Sequence, residues 1–120
     1  MADKIYTIRE GVTVTEEVIA NIAALAATDV EGVAYLNGGL TRGNIIKAGA
    51  GKVSKAVRVI ADAEGALTIQ MIIVTDYEHS ILTVSRQVQE KVKTTVEDMT
   101  DLTVKAVDVK VLTVSMQKYQ

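Results

Sequence analysis

The residues best suited to acid–base or nucleophilic chemistry stand together at Asp76-Tyr77-Glu78-His79-Ser80, where the chain's single histidine has carboxylates before it and a serine after it. A histidine oriented by a carboxylate can take the proton of a serine hydroxyl and turn it into a nucleophile. Neighbours on one turn rarely converge on a single substrate atom, however, and no nucleophile elbow occurs in the chain. The cluster therefore reads as polar turn residues, with Ser80 placed to cap a helix. One imidazole with scattered carboxylates makes no recognisable metal-ligand spacing. The absence of cysteine removes thiol catalysis and thiolate metal sites. Glu97 and Asp98 are adjacent on a helix and point in different directions, so they read as solvated charges. No catalytic residue, cofactor or metal is expected.

A second candidate is electrostatic. Residues 32–61 contain Arg42, Lys47, Lys52, Lys55 and Arg58 and no acid, whereas the preceding segment has six acids against two bases and the following one nine against six. Five of the eight glycines fall between Asn37 and Lys52, which predicts a flexible basic loop at about residues 37–52. Mobile cations and exposed backbone amides attract phosphates or an acidic partner surface, so these five residues form a possible anion- or partner-binding set. A solvated loop that happens to be basic is the other reading. Gly49-Ala50-Gly51-Lys52 is no phosphate-binding loop, because Ile46 and Val53 occupy the positions where that pattern needs Gly and Ser or Thr.

The elements that must hold these residues follow from periodicity. Ala66 to Thr75 is rich in β-branched residues and entered through Glu64-Gly65, which predicts a buried strand. Ile81, Val84, Val88, Val92, Val96 and Met99 recur at the helical period. Val107, Val109 and Val111 alternate with Asp108 and Lys110, as a strand with one wet face requires. Val104 is out of phase with them, which predicts a bulge near Ala106 or a later start. Earlier, Lys4–Ile8 reads as a short edge strand. Glu16 to about Thr28 reads as a helix facing inward through Val18, Ile19, Ile22, Leu25 and Ala26. It is capped by Thr15, or by Thr13 with Glu16 as a capping box. Gly32 to Leu36 reads as a strand, and Ala56–Ala61 with Ala66–Thr75 as a hairpin.

The resulting order is β-α-β-β-β-α-β in a single domain of 120 residues. Its fold class is α+β, a two-layer sandwich with two amphipathic helices on one face of a small mixed sheet. The last strand is expected parallel to the strand before the long helix, beside it or one place beyond. Apolar residues make up 48% of the chain, yet there is no Phe or Trp, and aromatic contact surface is confined to Tyr6, Tyr35, Tyr77 and Tyr119. No apolar run reaches the roughly 18 residues of a membrane span, and the N-terminus lacks a leader pattern, so a cytoplasmic protein is expected.

Val14-Thr15-Glu16-Glu17-Val18-Ile19 and Ile22-Ala23, running into Val30-Glu31-Gly32-Val33, are followed later by Ile81, Val84, Gln89, Val92, Met99-Thr100, Leu102 and Val107-Asp108-Val109-Lys110-Val111. In order and spacing these resemble the alkaline-shock-protein family of Gram-positive bacteria, also called the Gls-type general-stress or envelope-stress-response family. Two positions depart from it: Glu78 follows Tyr77 where members usually have glycine, and Ala56 stands where they have glycine before the hairpin. The resemblance implies a small non-enzymatic protein with no catalytic residues to transfer. Some relatives reach the membrane through a separate anchor protein, and others are linked to control of fatty-acid synthesis. The expected function is thus a stress-response or envelope-homeostasis protein, acting as a scaffold or interaction module. Its expected partner is a protein, either a membrane anchor or a lipid-synthesis enzyme, and self-association is open. A nucleic-acid-binding module using the basic loop is the alternative, opposed by the net acidity and the few aromatics.

Overall fold

A computed structural model describes residues 5–47 and 50–116. Lys4, Gly49 and Tyr119, singled out above, lie outside them. The chain opens with a hairpin, β1 (Ile5–Arg9) and β2 (Val12–Thr15), paired antiparallel around Gly11 at φ 81°. The sequence predicts only the first of these strands, since Val12-Thr13-Val14-Thr15 is short and Thr15 already serves as a cap. Helix α1 (Glu16–Thr28) begins where expected: the hydroxyl of Thr15 accepts the Val18 N–H at 3.3 Å, and Glu16 and Glu17 occupy the first turn. The choice of caps thus falls on Thr15.

The inward face of α1 differs from the expected one. Ile19, Ala20, Ala23, Ala24, Ala26 and Ala27 are buried, Ile22 and Leu25 are half-buried, and Val18 is 42% exposed. Alanines on the contact face let the helix axis approach its neighbours closely, so the larger residues move to the margin of the interface.

After β3 (Val33–Leu36), the glycine-rich stretch expected to be a loop contains two short helices, α2 (Arg42–Lys47) and α3 (Ala50–Val53). The hydroxyl of Thr41 accepts the Asn44 N–H at 3.3 Å at the start of α2. Leu40, Ile45 and Val53 are each at most 5% exposed and fasten the stretch to the core. Strands β4 (Val57–Ala61) and β5 (Leu67–Asp76) form the expected hairpin. The long helix α4 (Ile81–Thr100) starts at Ser80, whose hydroxyl accepts the Thr83 N–H, and ends at Asp101 in the left-handed conformation. Strand β6 (Val104–Ser115) completes the order.

β5 is the axis of the sheet. One edge pairs with β6, parallel and along its full length, so β6 lies directly beside it. Its other edge is shared: β4 covers Leu67–Met71 and β3 covers Ile73–Thr75, both antiparallel. The Ile72 N–H donates to the Ala56 carbonyl, and its carbonyl accepts the Asn37 N–H, closing the junction. The bulge expected near Ala106 is present: Leu67 faces Val104 and Thr68 faces Ala106, leaving Lys105 as the extra residue.

One face of this sheet presents Leu67, Ile69, Met71 and Ile73, which join Ile19, Ala23, Val84, Val88, Val92 and Val96 in a single core. Both long helices therefore lie on that face, as the α+β two-layer arrangement requires. Ile81 and Met99, expected at the two ends of the α4 stripe, are 48% and 65% exposed, and Thr100 takes the last buried position. The opposite face of the sheet carries Arg58, Gln70, Asp108 and Lys110, all exposed. Among the described residues, no helix is long and apolar enough to cross a membrane.

Candidate functional site

The five basic residues do not assemble into one site. Arg42 opens α2 and its guanidinium lies 2.8 Å from Asp29, so its charge is already matched. Lys47 and Lys52 share a shallow hollow of about 280 Å³ with Gly38, Leu40 and Asn44. Lys55 and Arg58 belong to a different surface, the sheet face that the helices leave uncovered.

That face is shaped by strand register. Arg58 on β4, Gln70 on β5 and Asp108 on β6 are successive cross-strand partners. They form a row of cation, amide and anion about 10 Å long from the spacing of adjacent strands. In the next row Ile72 faces Lys110. With Lys55 at one end, these residues line a groove of about 410 Å³. Three cations and one carboxylate around an apolar patch can hold an extended segment carrying acidic and apolar side chains. Gln70, Asp108 and Lys110 were not singled out as site residues in the sequence. The alternation of Asp108 and Lys110 with valines places them on the wet face of a strand, but only the register of β6 against β5 brings them to Arg58.

The histidine cluster is partly assembled. His79 Nδ1 lies 2.6 Å from Asp76 Oδ1, and Nε2 lies 3.5 Å from Glu31 Oε2. The hydrogen bond to Asp76 holds the imidazole pKa above its ordinary value; desolvation opposes this, and Glu31 adds to it. Ser80 is not aimed at the ring: its hydroxyl accepts the backbone N–H of Thr83. Both ring nitrogens therefore face carboxylates, and the arrangement joins the turn after α1, the end of β5 and the approach to α4 electrostatically. The turn that precedes α4 manages without the glycine usual in the resembling family, because among the described non-glycine residues only Asp101 has a positive φ. Among the described residues, no group of three or more histidine, cysteine or carboxylate side chains is placed to hold a metal ion.

Two relatives are similar to this chain over most of their length. YqhY of Bacillus subtilis, an uncharacterized protein, is 32% identical over 101 residues, which is 84% of this chain and 74% of that one. Spy1535 of Streptococcus pyogenes, also uncharacterized, is 29% identical over 100 residues, or 83% and 75% of the two chains. Solved structures with a similar fold include a variant of the MamM CTD, with a TM-score of 0.51 and 17% identity, covering 84% of this chain and 95% of that one. The copper form of the same domain has a TM-score of 0.50 and 16% identity, covering 87% and 91%. At that identity the likeness concerns the fold alone. A family model covers residues 4–116 and carries the description of a cell envelope-related function. The strand–helix–strand frame and this match over nearly the whole chain agree: the protein belongs to the alkaline shock protein 23 family.

Proposed function

We propose that this chain is a non-enzymatic interaction module of envelope homeostasis, which docks an acidic segment of a protein partner in the groove on the open face of its sheet. The groove is the observation that carries the reading: Lys55, Arg58 and Lys110 stand around Ile72 on a face that neither long helix covers. A membrane anchor or a lipid-synthesis enzyme is the partner class that fits a family of envelope-related function. The chain would then work in the cytoplasm and reach the membrane through that partner. A non-catalytic role is supported by the histidine cluster, in which the only imidazole faces two carboxylates and the adjacent serine is engaged as a helix cap.

The test is a photo-crosslinking residue at Gln70, introduced in the native cell, followed by identification of what is captured. An envelope or lipid-synthesis protein is expected, lost when Lys55→Glu and Arg58→Glu are combined. Capture of RNA, with binding that weakens steeply with salt, would replace this reading by a nucleic-acid one. Capture of the same partner by the charge-reversed protein would remove the groove from the account.

A further inference from the structure

We propose that the outer edge of β6 is a self-recognition edge, through which two copies of this chain pair antiparallel about a two-fold axis at Val109. The inference rests on the reading of the chain as an interaction module, but it concerns the backbone edge of β6 and a different partner, a second copy; Asp108 and Lys110 border both this edge and the groove.

β6 runs for 12 residues and, among the described residues, pairs with β5 alone. An edge of that length offers a row of backbone donors and acceptors. Two of its groups are already engaged by α4. The Val104 N–H donates to Glu97 Oε2 at 2.9 Å, and Gln89 Nε2 donates to the Val107 carbonyl at 3.0 Å. These contacts show which residues turn their backbone away from β5. By the alternation of a strand, Val109 and Val111 turn the same way. Among the described residues no hydrogen bond from an α4 side chain reaches them, and the segment from Ala106 to Val111 keeps an unbroken register against β5 between the two bulges.

The side chains select the partner. In an antiparallel pair centred on Val109, Asp108 stands opposite Lys110 of the second copy, and the two-fold axis repeats the pair. Val107 stands opposite Val111. Val109, Val107 and Val111 then occupy hydrogen-bonded positions, while Asp108 and Lys110 fall on the closer, non-hydrogen-bonded positions of the wet face. Centring on Val107 would set Asp108 against Ala106 and Lys110 against Val104. Centring on Val111 would set Lys110 against Leu112 and Asp108 against Val114. Only the Val109 register matches opposite charges, so the same residues that favour one alignment disfavour its neighbours. Exposed apolar surface lies where the pair would cover it. Leu112 is 52% exposed on the strand, and Leu82 is 61% exposed on the side of α4 that also presents Gln89 seven residues later. Gln89 need not leave, because the Val107 carbonyl has a second lone pair. The two-fold closes the assembly and hides both edges, which limits further strand addition.

Sedimentation of the full chain across micromolar to sub-millimolar concentrations tests this. The natural sequence is expected to dimerise. Asp108→Lys and Lys110→Asp, each placing like charges opposite one another twice, are expected to weaken the dimer at least about tenfold. The double variant is expected to restore it. Both residues are exposed, and unchanged thermal melting would show that the fold survives. The chain has no cysteine, so Val109→Cys adds one thiol that should form a disulfide across the axis on mild oxidation, whereas Lys105→Cys should not. The separation of about 5.5 Å between hydrogen-bonded Cα partners suits such a bridge. A monomer at all concentrations, a double swap as weak as either single one, or a dimer in which Val109→Cys fails to crosslink would overturn the inference. A monomer that still captures its envelope partner from Gln70 would leave the proposed function standing, and a dimer that captures nothing would do the reverse.

Discussion

Nδ1 of His79 lies 2.6 Å from Oδ1 of Asp76, joining the end of β5 to the approach to α4. Because Asp76, and secondarily Glu31, favour the imidazolium, the folded-state pKa stands above the ordinary value of 6.5. A pKa raised on folding stabilises the native state fully below the unfolded-state value, and the contribution is lost as pH rises through the folded-state value. Stability should therefore decline from mildly acidic toward alkaline pH. Asp76→Asn should lower the His79 midpoint and flatten that decline. As His79 is the only histidine, NMR titration of its ring protons reads the midpoint without ambiguity. An unchanged midpoint in Asp76→Asn would contradict the assignment.

Gly32 supports the same junction through space. Its φ is +100°, and a Cβ built on it would lie 2.5 Å from Val84 Cγ2 and 3.1 Å from the His79 Cβ. Gly32→Ala thus meets both a backbone penalty and a clash with a fully buried side chain, together about 2 to 4 kcal/mol. The clash, but not the φ penalty, should be relieved when Val84→Ala opens space, so the two substitutions are expected to be non-additive in urea denaturation. Strict additivity would show that the helix had simply moved aside.

Asp62 organises the β4–β5 turn. One of its oxygens accepts the N–H groups of Glu64 and Ala66, and the other lies 2.9 Å from Lys105 Nζ on β6. The Lys105 hydrogen bond, then the two backbone donors, hold its pKa below the ordinary carboxylate value. A carboxylate pKa lowered on folding stabilises the native state above the unfolded-state value, and that contribution disappears as pH falls through the folded-state value. Asp62→Ala should reduce stability at neutral pH and bring the curve closer to that of the natural sequence in acid. Lys105→Met, which leaves the turn bonds intact, should show a smaller version of the same change.

What could be read from the chain depended on how local its cause was. Thr15 and Ser80 act as caps through their nearest neighbours, and the out-of-phase Val104 signals its bulge within three residues, so both were visible in sequence. The helices α2 and α3 were hidden because six and four residues are too few to show a period. They are held by Leu40, Ile45 and Val53, whose burial is tertiary. The α1 face was misjudged because alanine carries little hydropathic weight, yet its small volume is what permits close helix packing. The groove was the least legible feature, since Arg58, Gln70 and Asp108 lie far apart in the chain and meet only through the register of three strands.

The α4 stripe separates a local period from real burial. The sequence extends the apolar face from Ile81 to Met99, whereas Val92 is fully buried and Met99 is 65% exposed. The reason lies at the C-terminus of the helix. The Thr100 hydroxyl turns back to donate to the Val96 carbonyl at 2.7 Å while accepting the Leu102 N–H at 3.1 Å, so Thr100 occupies the buried end and Met99 rotates outward. Val92→Ala removes two methyl groups from a close-packed site, and the lost burial plus the residual cavity should destabilise the protein by about 2 to 3 kcal/mol. Met99→Ala should fall within about 0.5 kcal/mol of the natural sequence, because an exposed methionine on a good helix former's position has little to lose. Denaturant midpoints of the two variants decide the matter. Equal losses would place Met99 in an apolar contact with a second copy covering that end of α4, which would then show as a concentration-dependent melting temperature.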